Sequence, residues 1–168
     1  MPRADAKRPS KAKARPTRWL DKDEEAAWRA LATILVKLPW ALECQLQRDS
    51  GLSFIEYHAL ARLSEDPNHT VRMSNLAALT NASLSRLSHL MTRLESRGLV
   101  RREPDPEDGR FTNAILTKAG YAKLVASAPA HVATVRDLVI DAVSAAELQQ
   151  LRETMGRVHA RIEAPNPP

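Results

Sequence analysis

Between Ser83 and Leu116 the chain passes from an amphipathic helical segment straight into a tight hairpin, and this juxtaposition restricts its fold more than any other feature. Leu84, Leu87, Leu90, Met91 and Leu94 recur at three- and four-residue steps, the spacing that gathers apolar side chains on one side of a helix. All five are expected to face the core. Gly98 supplies a helix stop, and Leu99–Arg102 and Thr112–Leu116 are short segments flanking the turn Asp105-Pro106-Glu107-Asp108-Gly109. Upstream, a compact helix predicted over Ser74–Leu79 joins the helix Ser83–Ser96 through only Thr80, Asn81 and Ala82. The pattern is a helix-turn-helix followed by a two-stranded wing.

Helices flank this unit on both sides. Trp28, Leu31, Leu35, Leu38, Leu42 and Leu46 mark a long amphipathic helix opened by Asp21 with Glu24 and ended by Gly51, with a kink expected at Pro39. Ser53-Phe54-Ile55-Glu56 is a capping box for a second helix running to about Ser64, and Val71–Met73 is expected to form a short strand. Thr117 caps a fifth helix, which Pro129 is expected to bend or break, and Ser144-Ala145-Ala146-Glu147 opens a sixth. Leu148, Leu151, Met155, Val158 and Ile162 give that last helix an apolar stripe. The fold class is mainly α with a small β-hairpin wing.

Charge is distributed unevenly. Residues 1–18 carry a net charge of +6, so the rest of the chain nets −1 although the whole is +5. With almost nothing to bury, residues 1–18 are expected to form a disordered basic tail, followed by a single domain over 19–165. The tail lacks aromatics, so it is either an arm adding salt-sensitive phosphate contacts or a solubilising leader. From Ala82 to Arg102 there is a second cluster, with Arg86, Arg93, Arg97, Arg101 and Arg102 against Glu95 alone. No apolar run is long enough to span a bilayer and no signal sequence opens the chain, which predicts a cytoplasmic protein without membrane contact.

Opposite the leucines, the fourth helix displays Ser85, Arg86, Ser88, His89, Thr92 and Arg93, with no carboxylate among them. An ordinary solvated face usually interleaves Glu with Lys. Hydroxyls, imidazole and guanidinium groups instead match the base edges and phosphates of a major groove. Arg101 and Arg102 at the base of the hairpin and Arg110 in its loop would add a second grip on a duplex.

The stretch from Leu52 to Gly120 resembles the MarR family of bacterial transcriptional regulators. The resemblance is carried by Leu84-Ser85-Arg86-Leu87, Arg93-Leu94-Glu95-Ser96-Arg97-Gly98-Leu99-Val100, Asp105-Pro106-Glu107-Asp108-Gly109-Arg110 and Leu116-Thr117-Lys118-Ala119-Gly120, in that order and spacing. It implies a winged helix-turn-helix over about 53–117, with dimerisation helices at about 21–50 and 118–163. The homodimer would occupy a pseudo-palindromic operator on double-stranded DNA, nucleoid-associated when bound, as a ligand-responsive repressor. By position Ser83, Ser85, Arg86, His89 and Arg93 would meet the major groove or its phosphates, and Arg110 the minor groove. Asp108 would brace the wing arginine. The resemblance also implies a small aromatic or phenolic effector in a crevice, with Trp40, Tyr57, His58 and Arg62 as lining residues or as ordinary packing positions.

Other chemistry finds little support. The five histidines are scattered and the single cysteine offers no thiolate cluster, so neither metal nor cofactor is expected. Cys44 is expected to be buried and inert, the alternative being a redox sensor. No paired carboxylates, nucleophile with base or glycine-rich phosphate loop appears, so the chain is not expected to be an enzyme. The remaining alternative is a winged-helix protein-interaction or dimerisation module without specific DNA binding.

Overall fold

The computed structural model describes residues 17–164, so the predicted basic tail lies outside the described residues except at Thr17 and Arg18. Ten elements follow in order: α1 (Lys22–Ser50), α2 (Phe54–Glu65), β1 (Thr70–Arg72), α3 (Met73–Leu79), α4 (Leu84–Ser96), β2 (Val100–Pro104), β3 (Thr112–Leu116), α5 (Lys118–Val135), a single π turn (Arg136–Ile140) and α6 (Ala145–Glu163). The chain divides into two units, residues 1–35 and 36–168.

In the first unit, α1 begins at a reciprocal cap. The Asp21 carboxylate accepts the Glu24 amide at 2.9 Å, and the Glu24 carboxylate accepts the Asp21 amide at 3.0 Å. Trp28 and Ile34 stand exposed on this part of the helix.

In the second unit, α1 continues past Pro39 as helix and buries Leu42, Gln45, Leu46 and Ser50. These lie at i, i+3, i+4 and i+8, so Cys44, two residues after Leu42, points the other way. It is exposed, which corrects the expectation of a buried thiol.

The α2 capping box forms as the sequence predicts, with the Ser53 Oγ accepting the Glu56 amide and the Glu56 carboxylate accepting the Ser53 amide at 2.8 Å. Leu60, Leu63, Leu76, Leu87, Met91 and Leu94 then form the centre of one continuous core that Val100, Ala114 and Leu116 complete from the sheet.

The sheet has the order β1-β3-β2 and both pairings are antiparallel. Register sets Val71 opposite Ala114 and Arg102 on the other side of the same residue. The hairpin was legible, but the addition of β1 along β3 was not, since three residues carry no alternation. β1 also ends one residue earlier than predicted, because Met73 starts α3 and is buried.

Where α4 ends, Gly98 adopts φ +69, and the amides of Gly98 and Leu99 bond back to the carbonyls of Glu95 and Leu94. This pair of bonds closes the last turn and needs the left-handed conformation that glycine takes without strain. Pro129 does not break α5, which runs on to Val135; a segment holding six alanines tolerates the one lost backbone bond. Along α6, Leu151, Met155, Val158 and Ile162 are all exposed on the isolated chain.

Candidate nucleic-acid interface

The path from α3 into α4 is fixed by the backbone. Thr80 donates its hydroxyl to the Leu76 carbonyl at 2.7 Å, Asn81 takes the left-handed φ of +48, and the Ala82 amide reaches the Ala77 carbonyl at 2.9 Å. Asparagine is among the few side chains that accept this conformation readily. Ser83 then caps α4 by accepting the Arg86 amide, and no acid occupies the first turn. The positive end of the helix dipole is left uncompensated there.

On the exposed side of α4, the predicted residues separate into two sets. No side-chain hydrogen bond or ion pair joins Ser85, Arg86 or His89 to another described residue. The others are engaged within the protein. Arg102 on β2 donates to the Glu95 carboxylate at 2.6 and 3.1 Å and to the Thr92 hydroxyl at 3.1 Å, with a longer approach to the Ser88 hydroxyl. The Thr92 hydroxyl in turn donates to the Ser88 carbonyl. Arg102 thus locks the strand to the helix, and its guanidinium holds the Glu95 carboxyl below the usual range.

Arg93 turns toward α2, where it and Arg97 each lie 3.5 Å from the buried Glu56 carboxylate. Arg101 pairs with Glu103 on the exposed face of β2. Leu84 departs from expectation: it is 55% exposed, while Leu87 and Met91, one and two turns further on, are fully buried. Helical spacing placed it with the core, but it borders an open surface cleft shared with Met73 and Phe111.

The wing loop is built around Asp105. Its side chain is buried and accepts Arg72 Nε at 2.8 Å, Asn113 Nδ2 at 3.3 Å and the amides of Glu107 and Asp108 at 2.9 and 3.2 Å. Arg72 also lies over the Phe111 ring, 4.8 Å from its centre. At the tip, Arg110 donates to the Asp108 carboxylate through Nε at 2.9 Å and a terminal nitrogen at 2.6 Å, while its side chain remains 86% exposed.

The Arg72 guanidinium, helped by the two amides, holds the Asp105 carboxyl below its ordinary value, and Arg110 does the same for Asp108. A carboxyl lowered on folding stabilises the fold above its unfolded pKa, and that contribution is lost as pH falls through the lower folded value. Asp105→Asn is therefore expected to be less stable than the natural chain at neutral pH. The gap should close as pH drops below about 4, the ordinary carboxylate value. Urea denaturation across that range checks this, and a gap that stays constant with pH would contradict the assignment.

The four proposed effector residues are distributed as follows. His58 stacks on Phe54 and accepts Arg62 Nε at 3.1 Å, and its pKa is lowered by burial and by Arg62. Tyr57 meets a different partner, His131, at 4.4 Å between ring centres, and burial raises the phenol while lowering this imidazole. His131 also reaches the buried Gln45 at 3.2 Å. Trp40 is 70% exposed. Among the described residues, no group of three His, Cys, Asp or Glu is placed to hold a metal, and no helix is long and apolar enough to cross a membrane.

Residues 50–110 match the model of the MarR family. A MarR family transcriptional regulator from Streptomyces coelicolor, Sco3205, solved in complex with DNA, is 39% identical over 90% of this chain and 94% of its own, with a TM-score of 0.85. The chain belongs to the MarR family of transcriptional regulators. AbsC, another family member from Streptomyces coelicolor, is 38% identical over 89% of this chain and all of its own, with a TM-score of 0.84. The fold extends to CouR from Rhodococcus jostii RHA1, solved bound to p-coumaroyl-CoA, at 22% identity over 84% of this chain and 94% of its own, with a TM-score of 0.69. No curated protein matches the chain. Within this family frame, Asp105, Arg72 and Arg102 are the residues that sequence reasoning passed over as supports of the site. Their partners lie 33, 33 and 7 residues away, beyond the reach of local motifs.

Proposed function

We propose that the chain is a homodimeric repressor that binds a pseudo-palindromic operator on double-stranded DNA, with α4 in the major groove and the Arg110 wing in the adjacent minor groove. One observation carries the reading: Ser85, Arg86 and His89 line an exposed, acid-free helix face without side-chain partners among the described residues, beside a wing whose arginine is extended into solvent. The DNA complex of a relative 39% identical supports it. Ser83 and Arg93 flank the face as phosphate contacts, Arg93 by exchanging Glu56 for the backbone. Ser88 and Thr92, held by Arg102, present fixed oxygen atoms, and Arg101 adds charge at the wing base. In this reading the protein works in a bacterial cytoplasm, on the nucleoid.

Dimerisation is supported by the apolar side chains exposed on α1, α5 and α6, among them Trp28, Val125, Val132 and Ile162, which a second copy would cover. We assign effector binding to a small aromatic or phenolic ligand near Trp40, Tyr57, His58 and Arg62. Such a ligand releases DNA only by binding the two states with different affinity.

The test is fluorescence anisotropy of the full-length chain on duplex DNA from upstream of its own gene and on a scrambled duplex, at several salt concentrations. A preference above about a hundredfold that persists while affinity falls with salt is expected for a specific regulator. Equal binding to both duplexes would favour the alternative, a winged-helix docking module.

A further inference from the structure

We propose that Leu84 is a specificity-determining residue that reads the C5-methyl group of a pyrimidine in the major groove. The inference rests on the DNA-binding reading above and goes beyond it by naming the base feature that one side chain selects.

Leu84 is the first residue of α4, directly after the capping Ser83. Recognition helices bring their N-terminal residues to the base edges. The side chain is 55% exposed, although the leucine one turn later is fully buried, so the core is complete without it. It borders a surface cleft of about 270 Å³, shared with Met73, Ser88, Arg110, Phe111 and Thr112, that lies between the helix and the wing. Two of its lining residues, Ser88 on α4 and Arg110 on the wing, belong to the proposed interface.

A leucine in that position has no favourable partner among phosphates, and hydrogen-bonding base edges gain nothing from it. The apolar feature that varies along a major groove is the methyl group at C5 of the pyrimidine ring, present in thymine and absent from cytosine. Deoxyribose carbons are also apolar, but they are the same at every position. Contact with them would raise affinity without choosing a sequence. The shared chemistry is therefore a 5-methylpyrimidine, from thymine or from 5-methylcytosine.

The experiment uses the full-length protein and a duplex recovered by selection from random DNA. Each symmetric pair of thymines is replaced in turn by deoxyuridine, which removes the methyl group and nothing else. At one pair, the natural protein is expected to lose about fourfold in affinity per half-site, the effect of withdrawing one buried methyl-sized group. Leu84→Ala is expected to bind the thymine and deoxyuridine duplexes equally, and Leu84→Met to retain part of the discrimination.

Comparing 5-methylcytosine with cytosine at the same position assigns the source. The same ratio there means that the methyl is read on either base, and no ratio restricts the reader to thymine. Because Leu84 is exposed, its truncation leaves the core intact, and the methionine variant checks the result without shortening the side chain. If every deoxyuridine substitution affects the natural protein and Leu84→Ala by the same factor, the inference is overturned while the DNA-binding reading stands. If no duplex is bound selectively, both fall.

Discussion

Replacing Gly120 by alanine is expected to destabilise the fold by about 3 kcal/mol, at the upper end of the usual range for overpacking. The Tm should fall by roughly 6 to 12 °C for a chain of this size. The reason is a close approach rather than backbone freedom. A Cβ on Gly120 would lie 2.0 Å from the Leu99 carbonyl oxygen and 2.7 Å from Leu116 Cδ1. A side-chain end can swing aside, but a carbonyl in the link between α4 and β2 cannot move alone. That carbonyl also accepts the Thr117 amide at 3.1 Å, and the Thr117 hydroxyl in turn caps α5 by accepting the Gly120 amide at 3.0 Å. Any shift that admits the methyl group therefore pulls on the helix cap and on the base of the wing together. Thermal unfolding at a fixed protein concentration measures the effect, because the apparent stability of the proposed dimer would depend on concentration. A loss below about 1 kcal/mol, the size of an ordinary substitution, would mean that α5 does not sit against Leu99 as described.

The elements that the sequence announced are those whose signals are local. Ser53 with Glu56 and Ser144 with Glu147 form the two capping boxes expected of them, and Gly98 stops α4. In each case the interacting atoms lie within a few residues, so order along the chain already implies the contact. Arg102 shows the limit. Its charge marked it as part of a basic cluster, but only the pairing of β2 with β3 brings it against Glu95 and Thr92. Asp105 read as a turn residue because its four partners include Arg72 on the short strand β1, whose pairing along β3 no local signal announced. Leu84 exposes a different weakness: periodicity reports which side of a helix a residue is on, not whether anything lies beneath that end. Cys44 fails for the opposite reason, since a general tendency toward burial was applied where the helix phase decides.

Arg110→Ala is expected to weaken binding to a specific duplex by about a hundredfold or more. The proposed dimer would lose two such arginines, each worth roughly 1 to 3 kcal/mol of contact with bases or backbone. The companion change Asp108→Ala decides how the wing works. As a pure charge, Asp108 partly neutralises Arg110 and repels phosphate, so its removal would tighten binding. As a brace, it holds the guanidinium by two contacts, at 2.9 and 2.6 Å, and also accepts the Arg110 amide at 3.1 Å. Its removal would then release a flexible side chain that must be ordered again on every binding event, at about 0.5 to 1.5 kcal/mol for each wing. The geometry favours the brace, because the carboxylate fixes both the side chain and the backbone of the same residue. We therefore expect Asp108→Ala to weaken binding by about tenfold, less than Arg110→Ala, and to slow association less than it speeds dissociation. Since Arg110 holds the Asp108 carboxyl below its ordinary range, the pair stays ionised near neutrality. The difference between Asp108→Ala and the natural protein should accordingly not change between about pH 6 and pH 8, well above the ordinary carboxylate value. Tighter binding by Asp108→Ala would sink the brace and leave the carboxylate as a competitor that DNA must displace.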